Sequence, residues 1–455
     1  MSQQPLSTAP PETAKGRYKT ILQLALPIIG GMLSQNVLNL VDTAMVGRLG
    51  ATALAASGLG GVSAWFVGSF FMGMGAGVQA ITSRRVGEGR SGDAIVGLHA
   101  ALLIALVFVL PLTVFLSNGA GFIFKIVATD SGVIAEGAPY LRVRILGLCF
   151  VTSNFAFRGY WNGVGLTTVY MRIIITMHIL NIFLNWVLIY GNLGAPALGV
   201  TGAGLASSIA VGVGTLAHIG VAFRVAGPEG FLKHFKGIKD SLRAVISLST
   251  PAGAQNVFFS AGFVALFSIA QQIGTRELAA ANVLIAFSLT CVLPALGLGL
   301  AAATLVGQSL GKGEQEYAIT WTWACMQLGM IVLAGLGAIL GLAPELWISF
   351  LVHDQATQML CLGPVLLLAC FQPIDSIGVI LSQILMSGAG AVRTVMVISI
   401  SLQWVFFIPL AYLVAVVFGG SLMQLWITKM VWRTLFSLLM MVAVRRGKWT
   451  ETQIA

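Results

Sequence analysis

Long apolar runs, separated by short loops, fill nearly the whole chain of 455 residues. A helix needs about 20 mostly apolar residues to cross the hydrocarbon core of a bilayer. Backbone groups in lipid must pair within their own segment, so runs of this length predict helices. The short alternating segments of a membrane barrel do not occur in the sequence. Twelve runs are long enough, and we number them as spans 1 to 12, near residues 20–46, 53–82, 94–118, 133–158, 168–190, 199–223, 244–272, 279–307, 317–342, 356–387, 393–417 and 421–444.

The charge content supports an all-α membrane protein. Only 9% of the residues are charged, against roughly 25% in an ordinary soluble domain. The net charge of +10 would indicate nucleic-acid binding in a soluble protein. Here the basic residues occupy short loops between apolar spans, so membrane topology explains the charge and we expect no nucleic-acid partner.

The positions of the basic residues predict the orientation. They cluster before span 1, after spans 2, 6, 8 and 10, and after span 12: Lys15, Arg17, Lys19, Arg84, Arg85, Arg90, Lys233, Lys236, Lys239, Arg243, Lys312, Arg393, Arg445, Arg446 and Lys448. The opposite loops carry Arg48, Lys125 and Arg276. Because cytoplasmic loops are enriched in Lys and Arg, both termini are predicted to be cytoplasmic. We expect a monomer in the cell inner (plasma) membrane.

The sequence lacks the motifs of an enzyme or a metal centre. The five cysteines form no CxxC pair, and four of them lie well inside apolar runs, where they are expected to pack as small apolar side chains. The five histidines are scattered, and no HExxH or GxSxG motif occurs. We therefore predict neither enzymatic activity nor a cofactor.

An internal repeat divides the chain into halves. Pro27 and Pro251 correspond at an offset of 224 residues, as do Gly73 and Gly297. Farther along, the offset is 225, and a fixed spacing over about 150 residues rarely arises by chance. Six spans in each half predict two parallel six-helix lobes related by a pseudo-twofold axis along the membrane normal. The predicted organisation is a disordered cytoplasmic tail at 1–17, an N-lobe at 18–224, a cytoplasmic linker at 225–243, a C-lobe at 244–445 and a cytoplasmic tail at 446–455.

Asp42 is a carboxylate deep inside span 1. A charged residue at the centre of a membrane helix costs roughly 2.5–3.5 kcal/mol on insertion scales and usually marks an ion or substrate pathway. Helical spacing places it on one face with Gln35 and Asn39. Similar spacing aligns three polar residues of span 5, and span 6 adds two serines, in a predicted polar cluster: His178, Asn181, Asn185, Ser207 and Ser208.

The residues around Asp42 leave several functions open. A carboxylate in low dielectric favours its protonated form and can exchange a proton near neutral pH. Amide and hydroxyl oxygens beside it could instead hold Na⁺, a hard cation. A structural alternative is a satisfied polar pair that fixes helix packing.

Asp375 and Pro27 are the other candidates. Asp375, in span 10, is the second of only two acidic residues deep inside spans. Pro27 lies fifteen residues before Asp42 and permits a bend in span 1, either as a static kink or as a conformational switch.

The pattern resembles the multidrug and toxic compound extrusion (MATE) family over nearly the whole chain, with features of both its NorM-type and DinF-type branches. The most specific match is the first-span block 39–50, which contains Asp42. Weaker matches are Arg158-Gly159 with Gly163-Val164-Gly165, the segments 181–185 and 190–191, 196–199 with 202–203, and Pro373-Ile374-Asp375-Ser376.

The resemblance implies a secondary antiporter that exports cationic or amphipathic compounds as H⁺ or Na⁺ re-enters. By position, the cation-coupling residues would be Asp42, Asn181, Asn185 and Ser207, with Asp375 in the second lobe. Polar residues of the substrate cavity would be Gln35, Asn39, Asn154 and His178, and Pro27 would permit bending of span 1.

Departures from the family pattern favour H⁺ over Na⁺. Asn185 stands where several members with an N-lobe Na⁺ site have Asp. Phe259 stands where NorM-type members have a Glu, and Phe371 where an aromatic hydroxyl would help. A proton needs one carboxylate and no oxygen cage, although a weak Na⁺ site at Asp42 and Asn181 stays an alternative.

Two alternative functions make different demands on the sequence. A lipid-linked precursor flippase of the wider superfamily would need a strongly basic cavity for phosphates, and Arg158 and Arg433 are the arginines that could contribute. A membrane-embedded enzyme would need paired catalytic groups, which the sequence does not show at motif spacing.

Overall fold

The computed structural model describes residues 9–225, 230–352 and 354–452. Parts of three predicted segments therefore lie outside the described residues. These parts are 1–8 of the N-terminal tail, 226–229 of the linker and 453–455 of the C-terminal tail. The first helix begins at Ala14, inside the predicted tail, and span 7 begins at Ile238, inside the predicted linker.

Helices account for all the regular structure of the described residues. Eleven helices in this part of the chain are long and apolar enough to cross a membrane: Ala14–Gly47, Ala51–Gly87, Ala94–Asn118, Thr167–Tyr190, Gly199–Val225, Ile238–Ile273, Thr275–Gly311, Gln315–Leu342, Gln355–Gly388, Val392–Val417 and Leu422–Arg445. They correspond to eleven of the twelve predicted spans. Short helices at Ala120–Val127 and Pro344–Ser349 lie in the loops.

Span 4, predicted as one helix at 133–158, is instead two consecutive helices. They run Ser131–Leu146 and Leu148–Gly163 and meet at Gly147. The hydroxyl oxygen of Ser208, in span 6, lies 2.7 Å from where a Cβ of Gly147 would sit. The break thus lies at a residue where span 6 packs closely against span 4, a contact that hydropathy along span 4 does not reveal.

Polar residues cap the starts of two spans. The Asp130 carboxylate accepts a hydrogen bond from the Val133 amide at the start of span 4. Ser421 and Gln424 form a reciprocal capping pair at the start of span 12. Such caps satisfy backbone donors that a helix start leaves unpaired, which matters most next to a membrane.

The described residues form two compact units. Unit 1 comprises residues 30–253, and unit 2 comprises residues 9–29 together with 254–452. The division falls inside spans 1 and 7, two residues beyond Pro27 and Pro251 respectively. Span 1 is a continuous helix through Pro27. The lobe bounds 18–224 and 244–445 remain predictions.

Close helix contacts in unit 1 depend on glycines. A Cβ on Gly75 would lie 3.1 Å from the carbonyl oxygen of Phe155, and one on Gly163 would lie 3.1 Å from that of Gln79. These contacts join spans 2 and 4. Small residues allow such close backbone approach, which is a main source of helix association in lipid.

Unit 2 repeats the same contacts at the predicted offset. A Cβ on Gly299 would lie 3.2 Å from the Cα of Ile380, and one on Gly388 would lie 2.7 Å from the carbonyl oxygen of Ala303. Ile380 and Ala303 are the counterparts of Phe155 and Gln79 at offsets of 225 and 224. The sequence repeat is therefore also a repeat of helix contacts inside each unit.

Replacing Gly159 with alanine should destabilise the protein. A Cβ there would overlap the carbonyl oxygen of Gly75, whereas nothing lies within 4 Å of a Cβ on Gly58. Overpacking costs about 1–3 kcal/mol, which exceeds the helix-propensity gain of about 1 kcal/mol that both substitutions share. Thermal unfolding in detergent should show a lower midpoint for Gly159→Ala and an unchanged or higher one for Gly58→Ala. Equal midpoints would contradict the packing described for spans 2 and 4.

The segment before span 7 is attached to unit 1 through histidines. His99, in span 3, accepts a hydrogen bond from the Leu232 amide at 3.1 Å and contacts the carbonyl oxygen of His234 at 3.0 Å. His234 in turn contacts the Asp93 carboxylate at 2.7 Å, which lowers the pKa of Asp93 below its ordinary value of 3.8. The contact between His234 and ionised Asp93 therefore contributes fully to folding stability above about pH 4. The contribution is lost as the pH falls through the lowered pKa of Asp93.

Candidate functional site

Asp42 in span 1 is hydrogen-bonded to span 5 within unit 1. Its Oδ1 accepts a hydrogen bond from the side-chain amide of Asn185. The same amide donates to Asn181 Oδ1 at 2.9 Å, one helical turn earlier. Asn181 and Asn185 are buried, and Asp42 is half-buried. The predicted contact between the carboxylate and the span 5 amides is thus present.

The Asn181 amide can be placed in two orientations. In one, its oxygen faces the acceptor Asp42 Oδ1 at 3.2 Å, and its nitrogen faces the Ser207 amide, which is also a donor. In the other, its nitrogen donates to Asp42 Oδ1 and its oxygen accepts from the Ser207 hydroxyl at 3.1 Å. Amide orientations follow from the hydrogen-bond network. The second orientation pairs both ends of the Asn181 amide, so the hydrogen-bond network favours it, and Asp42 then accepts hydrogen bonds from both span 5 amides.

Arg144 was not among the predicted site residues. It lies in the first helix of span 4 and is the cationic group whose field acts on Asp42. Its Nε is buried without a hydrogen-bond partner. The signal was present in the sequence, because Arg144 lies inside a predicted span where a charge is costly.

A second polar cluster lies earlier in span 1. His178 of span 5 contacts Gln35 Oε1 at 3.1 Å through Nε2 and Ser34 Oγ at 3.0 Å through Nδ1. Gln35 also donates to Asn39 Oδ1 at 3.1 Å. Three predicted cavity residues, Gln35, Asn39 and His178, are therefore linked in one network in unit 1.

Asn154 and Ser208 do not join these clusters through their hydrogen bonds. The Asn154 amide donates to Thr215 Oγ1 at 2.7 Å and to the carbonyl oxygen of Val211 at 3.1 Å. Ser208 donates to the carbonyl oxygen of Val143 at 3.0 Å. Both side chains connect span 4 to span 6, so the contacts observed for them are packing contacts.

Asp375, in unit 2, forms an ion pair with an arginine side chain. The Arg433 Nε donates to Asp375 Oδ1, and both side chains are largely buried. From the sequence, Arg433 was expected only as a possible contributor to the basic cavity of a flippase. Phe259 and Phe371, the two positions that depart from the NorM-type pattern, line the same cavity as Asp375.

Known proteins resemble this chain along its length. The profile described as MatE matches residues 27–187 and 251–413, the same two stretches that carry the repeat. The chain belongs to the MATE family. Proteins of this family are multidrug transporters and not enzymes.

Individual MATE relatives share little sequence identity with this chain, but they align with nearly all of it. A Thermotoga maritima protein named "Probable multidrug resistance protein NorM" is 25% identical over 455 residues, covering 98% of this chain and 96% of its own. The structure of the Vibrio cholerae MATE transporter VcmN has a TM-score of 0.86 at 18% identity and covers 96% of this chain and 99% of its own.

Another structural neighbour is a MOP superfamily transporter of Pyrococcus furiosus, described as having a binding pocket of reverse polarity that suggests a different function. Its TM-score is 0.86 at 20% identity, with 96% of this chain and 97% of its own covered. At such identities the structural likenesses establish the fold alone. In MATE transporters the fold comprises twelve helices in two lobes, in line with the predicted spans.

Proposed function

We propose that this MATE protein exports cationic or amphipathic compounds in exchange for H⁺, with Asp42 as the proton carrier. The observation that carries the proposal is the Asp42 carboxylate of span 1, which accepts hydrogen bonds from side-chain amides of span 5. The names of its NorM relatives support small-molecule drugs as substrates. We place the protein in the cell inner membrane with both termini cytoplasmic.

Competition for one negative charge accounts for exchange. A proton and a cationic substrate cannot both neutralise Asp42, so binding of one favours release of the other. A ligand shifts a conformational equilibrium only through its different affinity for the two states. Protonation from the outside then favours substrate release, and deprotonation towards the cytoplasm favours substrate binding.

The choice of H⁺ over Na⁺ follows from the small number of oxygens at Asp42. Hard cations are held by several oxygen ligands at once. Asn181 and Ser207 can contribute one oxygen each, but the Asn185 amide presents its nitrogen to the carboxylate. In unit 2 the guanidinium of Arg433 occupies the position beside Asp375 that a metal cation would need.

Replacing Asn185 with aspartate should introduce Na⁺ dependence. The substitution would add a second carboxylate beside Asp42, at the position where the family resemblance implies Asp in members with an N-lobe Na⁺ site. We expect ethidium export by Asn185→Asp to be stimulated several-fold by Na⁺, whereas wild-type export responds little. Asn192→Asp, outside the cluster in the loop after span 5, is the matched control. A variant that still ignores Na⁺ would count against oxygen supply as the determinant of ion choice.

The proposed function is tested in liposomes that contain the purified protein and ethidium. An imposed proton gradient in Na⁺-free buffer should drive ethidium transport, and a Na⁺ gradient at equal pH should not. Transport driven only by the Na⁺ gradient would overturn the proposed coupling.

A further inference from the structure

Unit 2 contains a cavity that carries more positive than negative charge. It is lined by the carboxylate of Asp375 and by two cationic side chains of span 12, Lys429 and Arg433. Lys429 and Arg433 are four residues apart, so they lie on one face of the helix. A binding site for a positively charged compound would not be expected to carry such an excess.

Lys429 is the least compensated charge in the cavity. Its side chain is only 6% exposed, and its ammonium donates to Ser288 Oγ at 2.9 Å. The ammonium also lies 5.0 Å from the ring centre of Trp426. Among the described residues no carboxylate lies within ion-pair distance of it. A buried ammonium with a neutral hydroxyl partner can accept an anion.

The guanidinium of Arg433 has N–H donors beyond the one that Asp375 uses. A guanidinium has five N–H donors in a planar fork, and Asp375 engages the Nε position. The same guanidinium lies 5.5 Å from the ring centre of Trp432 and 5.3 Å from that of Phe436. The rings hold the fork in place, so its terminal nitrogens can bind another carboxylate.

The remaining lining combines aromatic walls with amide groups. Phe259, Phe263 and Phe371 line the cavity, and Gln372 has a buried side-chain oxygen without a hydrogen-bond partner. A π-helical turn at Leu402–Phe407 belongs to span 11, and its Gln403 also faces the cavity. Such turns occur frequently at functional sites. Apolar walls with a few placed polar groups are typical of small-molecule sites.

We propose that this cavity binds an amphipathic organic anion, with Lys429 and Arg433 holding its carboxylate and the phenylalanines contacting its apolar body. Asp375 acts as the internal counter-ion of Arg433 when the cavity is empty. The site is separate from Asp42, so the proposal does not depend on proton coupling.

The test compares binding of 2-naphthoate and its uncharged methyl ester to the full-length protein in nanodiscs, measured by isothermal titration calorimetry. Wild-type protein should bind the carboxylate at least tenfold more tightly than the ester. Lys429→Gln, which keeps a donor for Ser288, should reduce carboxylate affinity about tenfold and leave ester affinity unchanged. Lys125→Gln, an exposed lysine in unit 1, is the matched control and should bind both as the wild type does.

Equal wild-type affinity for the acid and the ester would overturn the proposal without any variant. Unchanged carboxylate affinity in Lys429→Gln would also overturn it. If Lys429→Gln does not fold, the comparison of the acid with the ester on wild-type protein still decides between the two outcomes. None of these results depends on transport, so failure here leaves the proposed function standing, and the converse also holds.

Discussion

Replacing Asp42 with asparagine is expected to abolish export while leaving the protein folded in the membrane. Asparagine has nearly the same shape and keeps an oxygen that can accept the hydrogen bond from Asn185. It cannot take up or release a proton, and it offers no charge to a cationic substrate. We expect a loss of at least a hundredfold in proton-driven ethidium transport, with a melting temperature close to that of the wild type.

The measurement uses liposomes with equal amounts of protein and an imposed proton gradient. Glu136→Gln is the control, since Glu136 is an exposed carboxylate in the same unit. It should transport at the wild-type rate. Wild-type transport by Asp42→Asn would show that the proton enters through another group.

Replacing Asp375 with asparagine should have its largest effect on stability. Arg433 would be left with its charge buried and unpaired, because Asp375 is the carboxylate that the structure places beside it. Removing one partner of a buried pair typically costs about 3–5 kcal/mol. We expect Asp375→Asn to lower the thermal midpoint and the yield of folded protein far more than Asp42→Asn does.

A double variant distinguishes this charge effect from a loss of shape. Asp375→Asn combined with Arg433→Gln removes both charges and should recover most of the lost stability. Thermal unfolding of the two single variants and the double variant forms a complete cycle. If the double variant is no more stable than Asp375→Asn, the unpaired charge of Arg433 is not the cause of the lost stability.

The helical periodicity of spans 1 and 5 was sufficient to predict the contact of Asp42 with the span 5 amides, although Ser208, also predicted there, lies elsewhere. Residues spaced by three, four and seven share a helical face, and charges in lipid must turn inward, so Asp42, Asn181 and Asn185 could be brought together in advance. The count of spans followed from length and hydropathy in the same way. Both inferences depend on local properties of the chain, and these are present in the sequence.

Features that depend on packing between helices were missed. The break at Gly147 coincides with the approach of Ser208 from another span, so no property of span 4 alone predicts it. The pairing of Asp375 with Arg433 joins residues 58 positions apart. The four-residue spacing of Lys429 and Arg433 was a usable signal, because two cations on one face of an apolar helix imply a polar cavity.

The measurement that tests the central claim most directly is proton release on substrate binding. Purified protein in weakly buffered, Na⁺-free detergent solution is mixed with ethidium, and a pH-sensitive dye reports the protons released. The account predicts up to one proton per bound ethidium from the wild-type protein near neutral pH, and none from Asp42→Asn. Ethidium binding to the wild type without proton release between pH 5 and 8 would contradict the competition of proton and substrate for Asp42.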